Sequence, residues 1–356
     1  MTHPDGPKGG RRFACVQEPS SRGRDMAVPM PSRRRVLQLV AVSPLLALLP
    51  GMAFTQEAAP IVWRGRLMGA EAALSLYARD RDRAEESLEE AIVLARRLEG
   101  LFSLYRSDSA LVVLNETGRL HAPPRDFLAL MQAADHFHRL TDGAFNPLVG
   151  ALFDLYLAHF ASRPGDERGP SSPAIAKGCR LLTWRKLRYD RRSVQLPRGA
   201  RLTFNGIAQG YVTDRVAALL ARKGWMPALV NFGEYRALGR HPSGRPFMLG
   251  LADPLHPGQV LGRLPVSRAL AASSPLAARF DEAGRFHHLL DPRTGRPAVQ
   301  APAGLWVAAG NATTADALST ALSVMTRTER RRLLGRLSGV TAWQTTGGGT
   351  LQQLKS

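Results

Sequence analysis

Several short stretches carry residue types suited to handling a phosphate or a metal ion. Asn205-Gly206-Ile207-Ala208-Gln209-Gly210-Tyr211 places two glycines where a strand-like run gives way to a helical one. Backbone amides at a helix start can receive phosphate oxygens, and glycine lets a ligand come close to the chain. A plain strand-to-helix turn has the same appearance. In Thr313-Thr314-Ala315-Asp316-Ala317-Leu318-Ser319-Thr320, Asp316 and Thr320 are spaced to share one helix face. A carboxylate beside a hydroxyl makes a partial shell for a hard cation such as magnesium, which keeps several waters. The competing reading is an N-cap at Thr313 or Thr314 with Asp316 complementing the helix dipole.

His287-His288-Leu289-Leu290-Asp291-Pro292-Arg293-Thr294-Gly295 joins paired histidines to an Asp-Pro turn. Adjacent strand residues point to opposite faces, so at most one histidine faces a site, as a base or a phosphate partner. Asp291 is equally suited to organising the turn backbone. Tyr105-Arg106-Ser107-Asp108-Ser109 offers a ring and a guanidinium for stacking or clamping, or else a capped turn opening a helix at Ser109. Thr141-Asp142-Gly143-Ala144-Phe145-Asn146-Pro147 reads, on spacing alone, as a tight loop.

The elements that must position these residues follow from periodicity. A strand is expected over 67–78, beginning at Leu67-Met68-Gly69, and helices over 81–101, 127–140 and 148–160. Residues 161–172 read as an exposed linker within the domain. A hairpin at 188–196, a strand at 201–204, a helix at 207–223 and a strand at 228–232 form the clearest local strand-helix-strand signal. Strands are expected at 247–251, 260–266, 270–273, 305–309 and 340–344, with helices at 314–325 and 329–337. The Gly-rich end, 344–356, is expected to fray. The sum is a single α+β domain, α/β in type, over 54–343.

The first 53 residues read as an address. Ser32-Arg33-Arg34-Arg35-Val36-Leu37 precedes the apolar run Leu39 to Leu49, too short for a bilayer span but suited to a signal peptide. The arginine pair resembles a twin-arginine signal, with cleavage after Ala53, which implies a soluble periplasmic protein. The whole chain has 48 basic and 29 acidic residues, a formal +19. Removing 1–53 takes away eight basic and three acidic residues and leaves +14. Cys179 is then the single cysteine, which excludes an internal disulfide. The basic residues are scattered and not interleaved with aromatics, which excludes a nucleic-acid surface.

Taken in order, the stretches resemble the ApbE family of FAD:protein FMN transferases. The resemblance runs through Met68-Gly69, Tyr105-Arg106 with Asp108-Ser109, Thr141 to Pro147, Gly206 to Tyr211, Asn231-Phe232-Gly233, His288 to Gly295, and Thr314 to Ala317 with Thr320. It implies a fold related to the tunnelling (T-fold) family, with antiparallel sheets packed on helices. It also implies magnesium-dependent transfer of the FMN half of FAD to a threonine or serine of a target flavoprotein, with release of AMP. Met68, Tyr105, Ala144, Phe145, Asn146, Thr203, Gln209 and Leu290 would line the FAD site. Gly206, through its carbonyl, Asp316, Thr320 and Thr313 would hold the metal, and His288 would act as base with Asp316 as its catalytic companion.

This chain departs from the family pattern at four places. Gln209 stands where lysine is usual and Thr203 where an acid is usual. Gly233-Glu234 has one glycine fewer than the usual Gly-Gly-acid, and Thr313 replaces an acidic metal ligand. The shortened Asn231-Phe232-Gly233-Glu234-Tyr235-Arg236 run resembles the NosX branch, linked to nitrous oxide respiration and a membrane-bound regulator as acceptor. Two other readings share these residues: an FAD pyrophosphatase giving FMN and AMP, and a non-catalytic FAD-binding assembly factor for a respiratory complex.

Overall fold

A computed structural model describes residues 59–355, together with the backbone of the two-residue strand Leu37–Gln38. The leader and its cleavage point otherwise lie outside the described residues. The domain is organised by one antiparallel sheet. Its first two strands, β1 (Ile61–Leu67) and β2 (Ala70–Leu76), pair in register from Ile61 opposite Leu76 to Leu67 opposite Ala70. The strand expected over 67–78 is the second arm, Ala70–Leu76, of a hairpin that turns at Met68-Gly69. Both turn residues have positive φ, 52° and 74°, as a two-residue type I′ turn requires.

The sheet continues through β3 (Ala228–Asn231), β4 (Tyr235–Leu238), β5 (Ala269–Ser273), β6 (Leu305–Ala309), β7 (Thr341–Thr345) and β8 (Leu351–Leu354). Spatial order equals chain order, and every neighbouring pair is antiparallel. The stretch expected to fray therefore holds an ordered strand, Leu351–Leu354. Thr346 to Thr350 close a tight turn, and Leu351–Leu354 pairs with Ala342–Thr345 as an edge strand.

The chain leaves this meander to insert other elements. Between β2 and β3 come α1 (Arg81–Phe102), α2 (Ala110–Thr117), α3 (Arg125–Leu140), α4 (Gly150–Ser162), α5 (Ser172–Cys179) and α6 (Ala208–Arg222). Between β6 and β7 come α7 (Ala312–Val324) and α8 (Arg327–Leu334). Their starts are marked by capping residues: Asp80 for α1, Ser109 for α2, Asn311 for α7, and a Thr326/Glu329 capping box for α8. The cap of α7 is therefore neither Thr313 nor Thr314. Among the described residues no helix is long and apolar enough to cross a membrane.

The expected strand at 201–204 is absent as a strand. Only Arg201 bridges, to Val149. The Thr203 N–H donates to the Pro147 carbonyl at 2.8 Å, and the backbone of Leu202 is satisfied by a side chain. The Asn115 amide donates to the Leu202 carbonyl at 2.8 Å and accepts the Leu202 N–H at 2.7 Å. An amide side chain here does what a neighbouring strand would otherwise do.

Strand alternation gives the sheet two buried faces. Leu74, Leu76, Val230, Leu305 and Val307 point to the side covered by α1, α6 and α7. Leu229, Tyr235, Leu270 and Trp306 point to the other side, against the antiparallel ribbon of Phe247–Ala252 and Val260–Val266. The backbone of Leu37–Gln38 pairs with that ribbon. Helices layered on an antiparallel meander make this an α+β fold.

Candidate active site

A cavity of about 660 Å³ opens among the β1–β2 hairpin, the 144–149 loop, the start of α6, the β3–β4 turn and the face of α7 that carries Asp316, Thr320 and Val324. Its size is that of a site for a large organic ligand. Gly206, Asp316 and Thr320 meet in it because α6 and α7 touch backbone to backbone. A Cβ on Gly210 would stand 2.3 Å from the Ala312 carbonyl oxygen. A Cβ on Gly206 would stand 2.8 Å from the Thr320 hydroxyl, so only glycine leaves the space between them open. The Asp316 carboxylate, 3% exposed, accepts the Gly210 N–H at 2.9 Å.

These donors are all hard oxygens. Among the described residues no three His, Cys, Asp or Glu side chains cluster as a metal cage. One carboxylate, one hydroxyl and a backbone carbonyl fit magnesium, which completes its octahedron with water and substrate phosphate rather than with protein. Thr313 is not among them. Its hydroxyl donates to Asp214 at 2.6 Å, outside the cavity, because residue 313 sits on the side of α7 that faces α6 at Asp214.

The loop at 141–147 is a rigid wall. The Thr141 hydroxyl donates to the Phe137 carbonyl at 2.7 Å and accepts the Phe145 N–H at 3.0 Å. Asp142 and Gly143 both have positive φ. The Phe145 carbonyl accepts from His138 Nδ1 at 3.0 Å, and burial holds that imidazole below its usual pKa. Ala144, Phe145 and Asn146 line the cavity and are nearly buried. The Asn146 side chain is spent on the wall itself, donating to the Leu182 carbonyl and accepting the Leu148 N–H. The Thr203 hydroxyl accepts the Asn205 N–H at 3.2 Å at the cavity edge.

Gln209 links three parts of the site. Its Nε2 donates to the Met68 carbonyl at 3.4 Å, and its carboxamide packs against Gly233, where a Cβ would come within 2.7 Å of it. With φ at +99°, Gly233 is the residue that makes this β3–β4 turn possible. Met68 thus sits at the hairpin tip above the cavity. Tyr105 lies beside that tip, its ring 3.5 Å from where a Gly69 Cβ would be, and is 58% exposed. Neither Met68 nor Tyr105 lines the cavity proper, whereas Gln209 and Leu290 do.

The two histidines part at an isolated antiparallel bridge between Arg279 and His287, outside any strand. His288 lines the cavity, its backbone N–H and its Nδ1 both on the Ala278 carbonyl, at 3.1 and 3.0 Å. A carbonyl only accepts, so Nδ1 carries the proton and Nε2 is the basic nitrogen. His287 turns inward; burial drops its pKa to about 4, and its Nδ1 has no hydrogen-bond partner. Asp291 organises the turn. It takes Arg293 in a bidentate pair, and that guanidinium also reaches Glu329.

Residues that sequence reading left out also line the cavity: Arg64 and Arg66 from β1, Glu71 from β2, Glu234, Ser273 and Ser274. Glu234 is 5% exposed and its carboxylate accepts the Ala272 N–H at 3.2 Å. The signal for the arginines was the alternation Trp63-Arg64-Gly65-Arg66-Leu67, with Arg64 and Arg66 on one face of a strand that begins earlier than expected.

The protein-family model of the ApbE family matches residues 68–343. The FAD:protein FMN transferase of Treponema pallidum is 30% identical over 279 residues, covering 72% of this chain and 76% of that protein. The FAD:protein FMN transferase of Haemophilus influenzae is 28% identical over 258 residues, covering 68% and 73% respectively. The solved ApbE protein of Thermotoga maritima superposes with a TM-score of 0.72 at 26% identity, covering 83% of this chain and 96% of that one. The matched segment runs from the hairpin tip into β7 and takes in Gly206, His288, Asp316 and Thr320, and the chain belongs to the ApbE family.

Proposed function

We propose that this protein is an FAD:protein FMN transferase that moves the FMN half of FAD onto a threonine or serine hydroxyl of an acceptor protein and releases AMP. One observation carries the reading: the oxygen set of Gly206, Asp316 and Thr320 shares a single cavity with His288. Magnesium held by those oxygens would neutralise charge on the pyrophosphate of FAD.

The chain's own groups supply the rest. The wall of Ala144 and Phe145 gives the flavin an apolar face, and the Asn146 bonds keep that wall in place. Arg64 and Arg66 bring positive charge to a cavity that must hold an anionic substrate. His288 Nε2 accepts the proton of the acceptor hydroxyl as its oxygen bonds to the FMN phosphorus. The anhydride bond to AMP breaks in the same displacement, and AMP leaves with the electron pair. The Ala278 carbonyl keeps Nδ1 protonated and so keeps Nε2 the basic nitrogen.

The arginine pair and apolar run at 32–49 support export to the periplasm, and the shortened β3–β4 turn supports a respiratory acceptor at the membrane. The test is mass spectrometry of an acceptor fragment incubated with the enzyme, FAD and magnesium. A gain of FMN less water on the fragment, with AMP in solution, is the expected result. Free FMN and AMP with an unmodified fragment would make the protein a pyrophosphatase, and unchanged FAD would make it a carrier.

A further inference from the structure

Resting on that reading, we propose that Asp214 is a positioning residue that sets metal affinity from outside the metal site. It does so by fixing the start of α7 against α6. Asp214 lies on α6, and its two carboxylate oxygens are divided between successive residues of α7. Oδ1 accepts the Ala312 N–H at 2.8 Å; Oδ2 accepts the Thr313 N–H at 2.8 Å and the Thr313 hydroxyl at 2.6 Å. Asn311 accepts the Thr314 N–H at 2.8 Å. The first three amides of α7, which have no partner within their own helix, are thereby all bound, two of them by a residue of another helix.

The bond is returned one turn further along. Asp316, on α7, accepts the Gly210 N–H of α6. Two carboxylates, one from each helix, thus clamp the pair at the level where Gly210 lets the backbones touch. Between them lies Thr313, whose hydroxyl belongs to Asp214. Arg236 on β4 holds the same helix start, bonded to the Gly310 carbonyl and 4.0 Å from Asp214. Asp316 and Thr320 are carried by α7, and Gly206 stands just before α6. Their separation is therefore set by how the two helices are fastened.

Thr313 stands where a direct acidic ligand is usual, and the geometry gives it a different task. It hands its hydroxyl to the clamp, and the metal site relies on one carboxylate whose place the clamp fixes.

The experiment measures Mn²⁺ affinity of the metal-free full-length protein by electron paramagnetic resonance, with and without FAD, alongside a thermal melt. Asp214→Asn keeps an acceptor for Ala312 but turns an NH₂ toward Thr313. It is expected to weaken Mn²⁺ binding about 10-fold or more. Asp214→Ser, whose hydroxyl stops one bond short of where the carboxylate oxygens meet Ala312 and Thr313, is expected to weaken it at least as much. Thr313→Val removes one of three bonds and is expected to cost about 3-fold or less, and Thr313→Ser nothing. Folded Asp214→Asn or Asp214→Ser protein with wild-type Mn²⁺ affinity would overturn the proposal, as would loss of binding in Thr313→Val alone. Wild-type protein that takes up no Mn²⁺ under either condition would instead bring down the functional reading itself, and this proposal with it.

Discussion

Met68 and Glu99 are joined by a hydrogen bond from the Met68 backbone N–H to the Glu99 carboxylate at 2.6 Å, which pins the β1–β2 turn to the end of α1. The pin holds a residue that would rather not be there. Methionine at φ 52° sits in the left-handed region, at a cost on the order of 1 kcal/mol. A strained residue at the rim of a ligand cavity points to a role for its side chain in binding, which substitution can test.

Met68→Asn therefore separates stability from binding. Asn-Gly is the preferred pair for a type I′ turn, so the variant should gain roughly 0.5–1 kcal/mol in urea unfolding. It should bind FAD more weakly, read by flavin fluorescence quenching. A gain in stability with unchanged FAD affinity would show that the Met68 side chain does not contact the substrate.

Gly206→Ala places a methyl group 2.8 Å from the Thr320 hydroxyl, in the gap where the oxygen set must close on a cation. Overpacking of this kind costs about 1–3 kcal/mol. The larger expected effect is loss of Mg²⁺-dependent transfer, because the added carbon occupies space between the donors. Titrating Mg²⁺ in the transfer assay should show the half-saturating concentration rising well before the melting temperature falls far.

His288→Ala should leave FAD binding within a few-fold of wild type and lower single-turnover transfer by about 10²–10⁴, the usual share of a positioned base. Exogenous imidazole should restore part of the rate if Nε2 is the proton acceptor. Full transfer by the variant would remove His288 from that role.

His287 predicts how the fold responds to acid. Its pKa lies near 4 in the folded protein, against 6.5 for an ordinary histidine, because burial disfavours the charged ring. Above pH 6.5 both folded and unfolded forms are neutral and the stability term is fully present. Between 6.5 and 4 the unfolded chain takes up a proton that the folded chain refuses. Stability falls with pH in that window, by on the order of 3 kcal/mol. Urea midpoints measured from pH 7 to 4 should fall less steeply for His287→Leu than for wild type, with His288 left intact.

What the sequence determines by itself is whatever rests on near neighbours along the chain. The helices α1, α3, α6 and α7 were legible because apolar spacing is local. Asp316 and Thr320 were legible as a pair because a helix puts i and i+4 on one face. That at most one of His287 and His288 would face the site was legible from adjacency alone, although the structure holds them at a single bridge to Arg279 and not in a strand. The resemblance to a family added the order of these pieces, and the family is the right one.

Tertiary structure decided whatever depends on which distant group arrives. Residues 201–204 are extended as their pattern suggests, but the Asn115 side chain took the place of a neighbouring strand. Thr313 has the chemistry of a metal ligand, and Asp214, 99 residues away in sequence, claimed its hydroxyl. The Gly-rich end became an edge strand because β7 offered an unpaired row of amides and carbonyls. Propensity proposes an element from a few residues, whereas hydrogen bonds between remote groups choose its partner, and only the folded chain brings those groups within 3 Å or so of each other.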